Sequence, residues 1–321
     1  MTSPPSCPSS GARPPQRRPA PAAWRELLPG LALLAVALVW GSTFFMTKDL
    51  ITRVPPLDYL AVRFVVAGVV GALVFARRLA RADAATWRAG LVLGAVYAVA
   101  QLAQTYGLSI ASASVSGFLT ALYVVGTPLV AWLLWRVRVG RATVLAVALA
   151  LAGAAVLGLS GLHVGTGELA LLGCATVYSV HVALLSRWSV GRDALALGAI
   201  QMISLGAVHT LVALPDGIVA PQGRDWAVML YLAVAAGLGA LVVQSWAQAR
   251  MDAARAAVIM AMEPVFSASF AVALGGEHLT WRLGVGGSLI LVATLLAELA
   301  PLVARGRILR SLGAGPEEDR R

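Results

Sequence analysis

The feature that most constrains this chain is a succession of long apolar runs. There are ten of them, and each approaches the roughly 20 residues that an α-helix needs to cross a hydrocarbon core. They cover residues 27–47, 57–77, 88–108, 113–135, 142–161, 168–187, 194–214, 226–248, 254–275 and 282–301. Only 12% of the residues are charged, whereas soluble domains carry about 25%. The sequence therefore predicts an all-α membrane protein with ten transmembrane helices.

Basic residues are concentrated in every second connection between the predicted spans, and therefore on one side of the membrane. If both termini are cytoplasmic, 20 of the 25 Lys and Arg residues fall in cytoplasmic segments and four in outer loops. Such an excess is typical of cytoplasmic loops. We therefore expect a multi-pass protein of the cytoplasmic (inner) membrane. Residues 1–28 are predicted to form a disordered cytoplasmic tail, and residues 302–321 a cytoplasmic C-terminal tail.

The two halves of the chain resemble each other weakly but collinearly, at shifts of 138 to 140 residues. Because each half holds five helices, an odd number, the second half enters the membrane in the opposite orientation. We predict two inverted five-helix repeats, residues 29–161 and 165–301, with a substrate site at their interface near the midplane. Aligned pairs include Trp40 with Tyr178, Arg63 with Gln201, Gln104 with Gln244, and Tyr123 with Glu263.

Several short segments resemble the drug/metabolite transporter superfamily, EamA type, over residues 30–300. They are Trp40-Gly41-Ser42-Thr43, Arg63-Phe64, Gly117-Phe118-Leu119-Thr120-Ala121-Leu122-Tyr123, Met262-Glu263-Pro264-Val265 and Gly276-Glu277. The resemblance implies a ten-helix inverted-repeat carrier with a central cavity. It also implies export of amino acids, metabolites or drugs, often driven by an ion or proton gradient, without a bound cofactor. Val137 aligns with Glu277, so the first half lacks this glutamate.

Polar side chains within the apolar helices are costly unless they face the bundle interior or water. Those of several helices recur every three or four residues, so each set falls on one helical face. We expect these faces to line one aqueous cavity; alternatively, the glutamines link helices and the hydroxyls bond their own backbone. The candidates for substrate binding or coupling are Glu263, Arg63, Trp40, Tyr97, Gln101, Gln104, Tyr123, Tyr178, His181, Gln244 and Gln248. Helix four adds a stripe of Ser112, Ser116, Thr120, Tyr123 and Thr127.

Glu263 is the most informative candidate, since an acidic group at mid-helix costs about 2.5 to 3.5 kcal/mol on insertion scales. Pro264 cannot donate a hydrogen bond to the carbonyl of Met260. A carboxylate and a carbonyl could therefore face the same space and hold an amine, a proton or a cation. The alternative is a buried ion pair between Glu263 and Arg63, the only other charge well inside a span.

Three further residues have open roles at this point. Arg63 could bind an anion, act in gating or extend to the lipid headgroups. Trp40 could stack on a bound ring or cation, or pack between helices. Glu298 and Lys48 are expected at the membrane interfaces.

The favoured function is that of a secondary transporter, which moves a small-molecule substrate and uses a proton or cation gradient. No enzyme motif lies in the spans, and Asp252 is the only aspartate near a polar stripe; the histidines lack metal-ligand spacing. A non-transporting membrane scaffold, or the membrane part of a multi-subunit system, is the alternative. We expect the lipid bilayer as a partner, no nucleic acid, no metal and no cofactor; a homodimer is left open.

Overall fold

The computed structural model describes residues 23–137, 139–160, 163–248, 250–251 and 253–313, and these are helical nearly throughout. The first repeat contains α1 (Ala23–Leu50), α2 (Pro56–Val74), α3 (Ala76–Arg81), α4 (Ala84–Ile110), α5 (Ala113–Ala121), α6 (Tyr123–Trp135) and α7 (Arg141–Gly158). The second contains α8 (Thr166–Trp188), α9 (Ala194–Ala213), α10 (Asp225–Leu230), α11 (Ala240–Gln248), α12 (Ala253–Met260), α13 (Glu263–Ala273) and α14 (Trp281–Gly313). A π-helical segment, Tyr231–Gly239, joins α10 to α11.

Both ends of the described chain differ from a simple tail. Helix α1 begins at Ala23, inside the segment predicted as a disordered tail, and residues 1–22 lie outside the described residues. Helix α14 continues to Gly313, well past the predicted last span. Between the repeats, β1 (Leu159–Ser160) pairs antiparallel with β2 (His163–Val164). This two-residue pair only links the halves, so the fold is the predicted all-α type.

Within the described residues, nine helical segments are long and apolar enough to cross a membrane. The predicted ninth span is the exception, because its apolar helix, Val258–Ala273, is shorter. It is interrupted at Ala261 and Met262, where α12 ends and α13 begins. Nine long segments and one short, broken one account for the ten predicted helices and confirm a multi-pass helical membrane protein.

The fourth helix of each repeat is broken at the equivalent position. The backbone N–H of Leu122 donates to the carbonyl of Leu119, three residues back, and that of Met262 donates to Ile259 in the same way. Normal four-residue spacing then returns, with N–H groups bonding back to the carbonyls of Leu122 and Met262 at 2.9 Å in both cases. A shift of 140 residues superimposes the two breaks. The fourth helix of each repeat is therefore discontinuous at the same position.

The contacts between helices are largely preserved when the two repeats are exchanged. Helix α2 packs on α9 and α7 on α14, so equivalent helices of the two repeats meet, and the broken fourth and ninth spans meet through α5 and α13. The contact of α1 with α13 has its counterpart in that of α8 with α6. At the α7–α14 crossing, a Cβ on Gly153 would lie 2.8 Å from the carbonyl oxygen of Gly286, and one on Gly286 would lie 2.9 Å from that of Gly153. The two repeats of five spans are therefore related by exchange, and the odd number of spans in each is the reason to expect the second to be inverted.

One end of the molecule is held together by side chains from both repeats. Lys48 donates to the carbonyls of Leu108 at 2.9 Å and Ala111 at 2.6 Å. Glu277 accepts from the backbone N–H of Ala113 at 2.5 Å and of Ser114 at 3.2 Å. Lys48 thus binds the carbonyl end of α4, and Glu277 caps the start of α5. We call this the outer end, after the predicted orientation, and the opposite end the inner end.

Replacing Glu277 with glutamine is expected to lower the free energy of unfolding by about 1 kcal/mol, because a charged acceptor at a helix N-terminus is lost. The readout is the thermal unfolding midpoint of the purified protein in detergent. Glu277→Asp, which keeps the charge on a shorter side chain, is expected to recover part of the midpoint. An unchanged midpoint for Glu277→Gln would show that the cap contributes nothing to stability.

Candidate functional site

A cavity of about 740 Å³ lies between the two repeats. All eleven side chains singled out from the sequence line it: Trp40, Arg63, Tyr97, Gln101, Gln104, Tyr123, Tyr178, His181, Gln244, Gln248 and Glu263. The four aligned pairs of the repeats are among its lining residues, so each repeat contributes the same positions. The structure brings these residues together, and their role in substrate binding stays a prediction.

One wall of the cavity is aromatic. The ring of Tyr178 lies 5.2 Å from that of Tyr97 and 5.6 Å from that of Tyr123, measured between centroids. The imidazole of His181 lies 4.9 Å from the ring of Tyr97. Phe64 extends the cluster, 6.4 Å from Tyr97. Such rings offer electron-rich faces and a flat apolar surface to a ligand.

Arg63 is held in the cavity wall and does not extend along the outside of the bundle. Its Nη1 donates to the hydroxyl of Tyr59 at 2.7 Å, and Tyr59 is itself fully buried. Its guanidinium carbon lies 5.2 Å from the ring centroid of Phe64. The Tyr59 hydroxyl also bonds Thr47 of α1 at 2.9 Å. Snorkelling to the headgroups is therefore not observed, and Arg63 keeps further N–H donors beside the cavity.

Glu263 begins α13 at the helix break and lines the cavity. Among the described residues, none forms an ion pair or a hydrogen bond with its carboxylate. The alternative of a structural pair with Arg63 is therefore not seen in this conformation. Pro264 follows at the second helical position, where it cannot donate a hydrogen bond. The carboxylate is available to a ligand or a proton.

Besides the hydroxyl of Thr294, two buried atoms in the cavity wall that can only accept have no partner within the described part of the chain. Nε2 of Gln101 donates to the hydroxyl of Tyr178 at 2.6 Å, while its Oε1 is unbonded. Nε2 of His181 lies 2.7 Å from Oε1 of Gln201, and its Nδ1 is unbonded. Because an amide oxygen only accepts, Nε2 of His181 carries the proton and Nδ1 is an acceptor. Buried polar atoms are rarely left without a partner, so both point to a ligand or water.

Trp40 packs between helices and also lines the cavity. Its Nε1 donates to the carbonyl of Ala236 in the π-helical segment at 2.8 Å, which is a packing contact between α1 and the eighth span. Its side chain also lines the cavity. Tyr178 occupies the equivalent position of the second repeat, and its hydroxyl accepts a hydrogen bond from Nε2 of Gln101.

The hydroxyl stripe of helix four divides into two groups. Thr120 and Tyr123 line the cavity. The other three bond nearby backbone: Ser112 accepts from Val115, Ser116 donates to Ser112, and Thr127 donates to Tyr123. The backbone-bonding alternative therefore holds for these three, and they do not reach the cavity.

Sequence reasoning did not select several polar residues of the wall. Thr294 and Gln201 are two of them, although Gln201 had been noted only as the partner of Arg63 in the alignment. Glu298, expected at a membrane interface, also lines the cavity. The i, i+4 spacing of Thr294 and Glu298 places both on one face of α14, and this spacing was the available signal. Asp252 lies outside the described residues.

The described residues contain no group of three or more His, Cys, Asp or Glu side chains that could hold a metal ion. The acidic side chains of the cavity wall, Glu263 and Glu298, therefore act with amides, phenols and Arg63 around them. Such a lining can bind an organic molecule through hydrogen bonds, charge and ring contacts.

Comparisons with known proteins agree with this architecture. The chain matches the EamA-like transporter family over residues 28–159 and again over 165–299. A protein of Archaeoglobus fulgidus with the name "Uncharacterized transporter" is 30% identical over 281 residues, 86% of this chain and 87% of that protein. A solved structure titled "Crystal structure of protein" shares the fold, with a TM-score of 0.61 at 22% identity over 86% of this chain and 97% of that one. With both repeats matched, the chain belongs to the EamA-like transporter family.

Proposed function

We propose that this protein is a secondary transporter of the cytoplasmic membrane that exports a small amine-bearing metabolite, amino acid or drug in exchange for protons. The observation that carries the proposal is the free carboxylate of Glu263 in a cavity between two repeats. Discontinuous helices and substrate sites at a repeat interface are the usual construction of carriers with alternating access. A membrane scaffold would not need such a cavity.

The chemistry of the wall favours a hydrogen-bond donor as substrate. Of the unbonded buried atoms in the wall, Oε1 of Gln101 and Nδ1 of His181 are acceptors and the hydroxyl of Thr294 can accept or donate; Glu263 and Glu298 add two carboxylates. An ammonium group carries three donors and a positive charge. The aromatic wall suits the cation and any flat apolar part of the same molecule. Arg63 offers a counterpart for a carboxylate, as in an amino acid.

Coupling follows if substrate and proton compete for the same group. A proton on Glu263 removes the charge that holds an ammonium, whereas a bound ammonium favours the ionised carboxylate. If the carrier changes orientation when Glu263 holds a proton or an ammonium substrate, but not when its carboxylate is bare, it exchanges protons for substrate. The bare carboxylate prevents the change because moving an uncompensated charge through an apolar gate is costly.

The experiment that tests the proposal is proton flux in proteoliposomes, with pools of amines, amino acids and carboxylic acids offered in turn. In proteoliposomes loaded with amine-bearing compounds, we expect a proton gradient directed inward to drive release of the amine, with a matching movement of protons into the vesicles. Carboxylic acids without an amine are expected to give no flux. If labelled-substrate counterflow is also absent with every pool, the transporter proposal is contradicted.

Replacing Gln101 with leucine is expected to weaken amine binding by at least about tenfold, since a hydrogen bond to a charged group contributes roughly 1.5 to 3 kcal/mol. The measurement is the concentration of substrate that half-saturates counterflow. Gln222→Leu, in an exposed outer loop, is the matched control. Equal weakening of the amine and its uncharged analogue would mean that the substitution disturbs the cavity generally.

A further inference from the structure

A second cavity, of about 680 Å³, lies at the inner end and is separate from the central one. It is formed by the connection between α2 and α4 and by the connection between α8 and α9. Its charged lining residues are Arg77, Arg78, Arg81, Arg192, Asp83 and Asp193. Four arginines therefore face two carboxylates, and the two connections come from different repeats.

Both carboxylates of this pocket are already engaged. Asp193 pairs with Arg78 at 2.5 Å and also accepts from the backbone at the start of α9. Asp83 caps α4 by accepting from the N–H of Thr86 at 2.8 Å. Hydrogen bonds from Thr86 and the nearby charge of Arg192 hold the pKa of Asp83 below its usual value. The two acids stay ionised and serve as helix caps, and with only two carboxylates against four arginines the pocket keeps an excess of positive charge.

Arg77 and Arg81 are the uncompensated charges. Within the described part of the chain, neither forms a hydrogen bond or an ion pair, although both line the pocket. Arg192, which also lines it, bonds the carbonyl of Trp188. An arginine presents planar N–H donors that match the oxygens of a phosphate. The pocket thus offers N–H donors and positive charge that a phosphate could bind.

The equivalent connections at the outer end carry an arginine that is paired with carboxylates. There Arg53 lies between two carboxylates, at 2.7 Å from Asp49 and 3.0 Å from Asp225. Exchange of the repeats relates the connections that carry these residues to those of the inner pocket. The same construction therefore places carboxylates against its arginines at the outer end, whereas arginines outnumber carboxylates at the inner end. A general enrichment of arginine on the cytoplasmic side does not require the arginines to converge on one cavity.

We propose that the inner pocket binds a phosphate-bearing anion, the headgroup of an anionic membrane lipid, through Arg77 and Arg81. Apolar side chains flank it on the outside of the bundle: Leu73 is 73% exposed, Val74 63% and Val190 77%. Acyl chains can lie along these residues while the headgroup occupies the pocket. Basic pockets between transmembrane helices on the cytoplasmic side are suited to such headgroups. A soluble phosphoanion shares the headgroup chemistry but would not use this apolar rim.

The test compares full-length wild type with Arg77→Gln/Arg81→Gln, delipidated in a non-ionic detergent. Phosphatidylglycerol, phosphatidylcholine and inorganic pyrophosphate are added separately, and bound ligand is measured by native mass spectrometry and thermal shift. Arg136→Gln/Arg141→Gln is the matched control, because it removes two charges from the same end outside the pocket. Arg77→Lys/Arg81→Lys retains the charge and checks that the pocket still folds.

We expect phosphatidylglycerol, but not phosphatidylcholine, to bind wild type, control and lysine variant. At about 1 kcal/mol for each basic residue, the glutamine variant should bind about thirty-fold more weakly. Pyrophosphate binding with the same variant pattern, and no preference for phosphatidylglycerol, would support the phosphoanion site and identify a soluble occupant. Equal binding by all variants, or an equal loss in the control, would overturn the proposal.

Discussion

Glu263→Gln is expected to reduce proton-driven transport at least about a hundredfold while the protein remains folded. The substitution keeps the shape of the side chain and removes the charge that would bind an ammonium or a proton. Hydrogen bonds to charged groups contribute roughly 1.5 to 3 kcal/mol, and the upper part of that range corresponds to about a hundredfold. Because the carboxylate bonds no other described residue, an amide there leaves no protein group unpaired. Folding is therefore expected to be unaffected.

The measurement is substrate-dependent proton flux in proteoliposomes, together with the elution profile and the thermal midpoint. Asp216→Asn, in an exposed turn of the outer end, is the control for losing one carboxylate. Substrate counterflow without a proton gradient is expected to weaken as well, since the ammonium loses its partner. Full proton coupling in Glu263→Gln would contradict the role of this residue. Loss of folded protein would show instead that the carboxylate is needed for structure.

The composition of the central cavity was predictable because symmetry and helical periodicity act together. Polar residues spaced by three or four positions share a helix face, and an inverted repeat brings equivalent faces to one interface. Gln104 and Gln244 meet both conditions, and both line the cavity. The pairing of Tyr123 with Glu263 follows from the same alignment. It puts an aromatic ring and a carboxylate at equivalent helix breaks.

Contacts that depend on tertiary packing were not predictable. The site of Arg63 within a span left it free, in principle, to extend outward or to pair with Glu263. Its observed partner, Tyr59, lies one helical turn away, but the choice is fixed by the bond from Tyr59 to Thr47 on another helix. Glu298 was not selected for the cavity from the sequence, although its i, i+4 relation to Thr294 puts both side chains on one face of α14.

The irregular backbone of the eighth span could not be predicted from the sequence either. Tyr231–Gly239 is rich in alanine and leucine, residues that favour an ordinary α-helix. Its π-helical form coincides with bonds from α1: Ser42 shares a hydrogen bond with the Tyr231 hydroxyl at 2.8 Å, and Trp40 donates to Ala236. π-helical turns occur often at functional sites, and Ala236 lines the cavity.

Gly41→Ala is expected to destabilise the protein by about 1 to 3 kcal/mol, the usual cost of overpacking a closely packed contact. A Cβ on Gly41 would lie 2.6 Å from Cβ of Phe266 and 2.9 Å from the backbone nitrogen of Ser267. Both atoms belong to α13 and neither can move away as a flexible side-chain end could. Helices α1 and α13 must therefore separate.

The separation also has a functional consequence, because Trp40 precedes Gly41 and Glu263 begins α13. We expect Gly41→Ala to lower the thermal midpoint and to reduce transport in the protein that remains folded. Gly173→Ala is the matched control, since a Cβ there meets nothing within 4 Å. An unchanged midpoint for Gly41→Ala would mean that α1 can shift on α13 without cost. Close contact between these helices would then not set the spacing between Trp40 and Glu263 across the cavity.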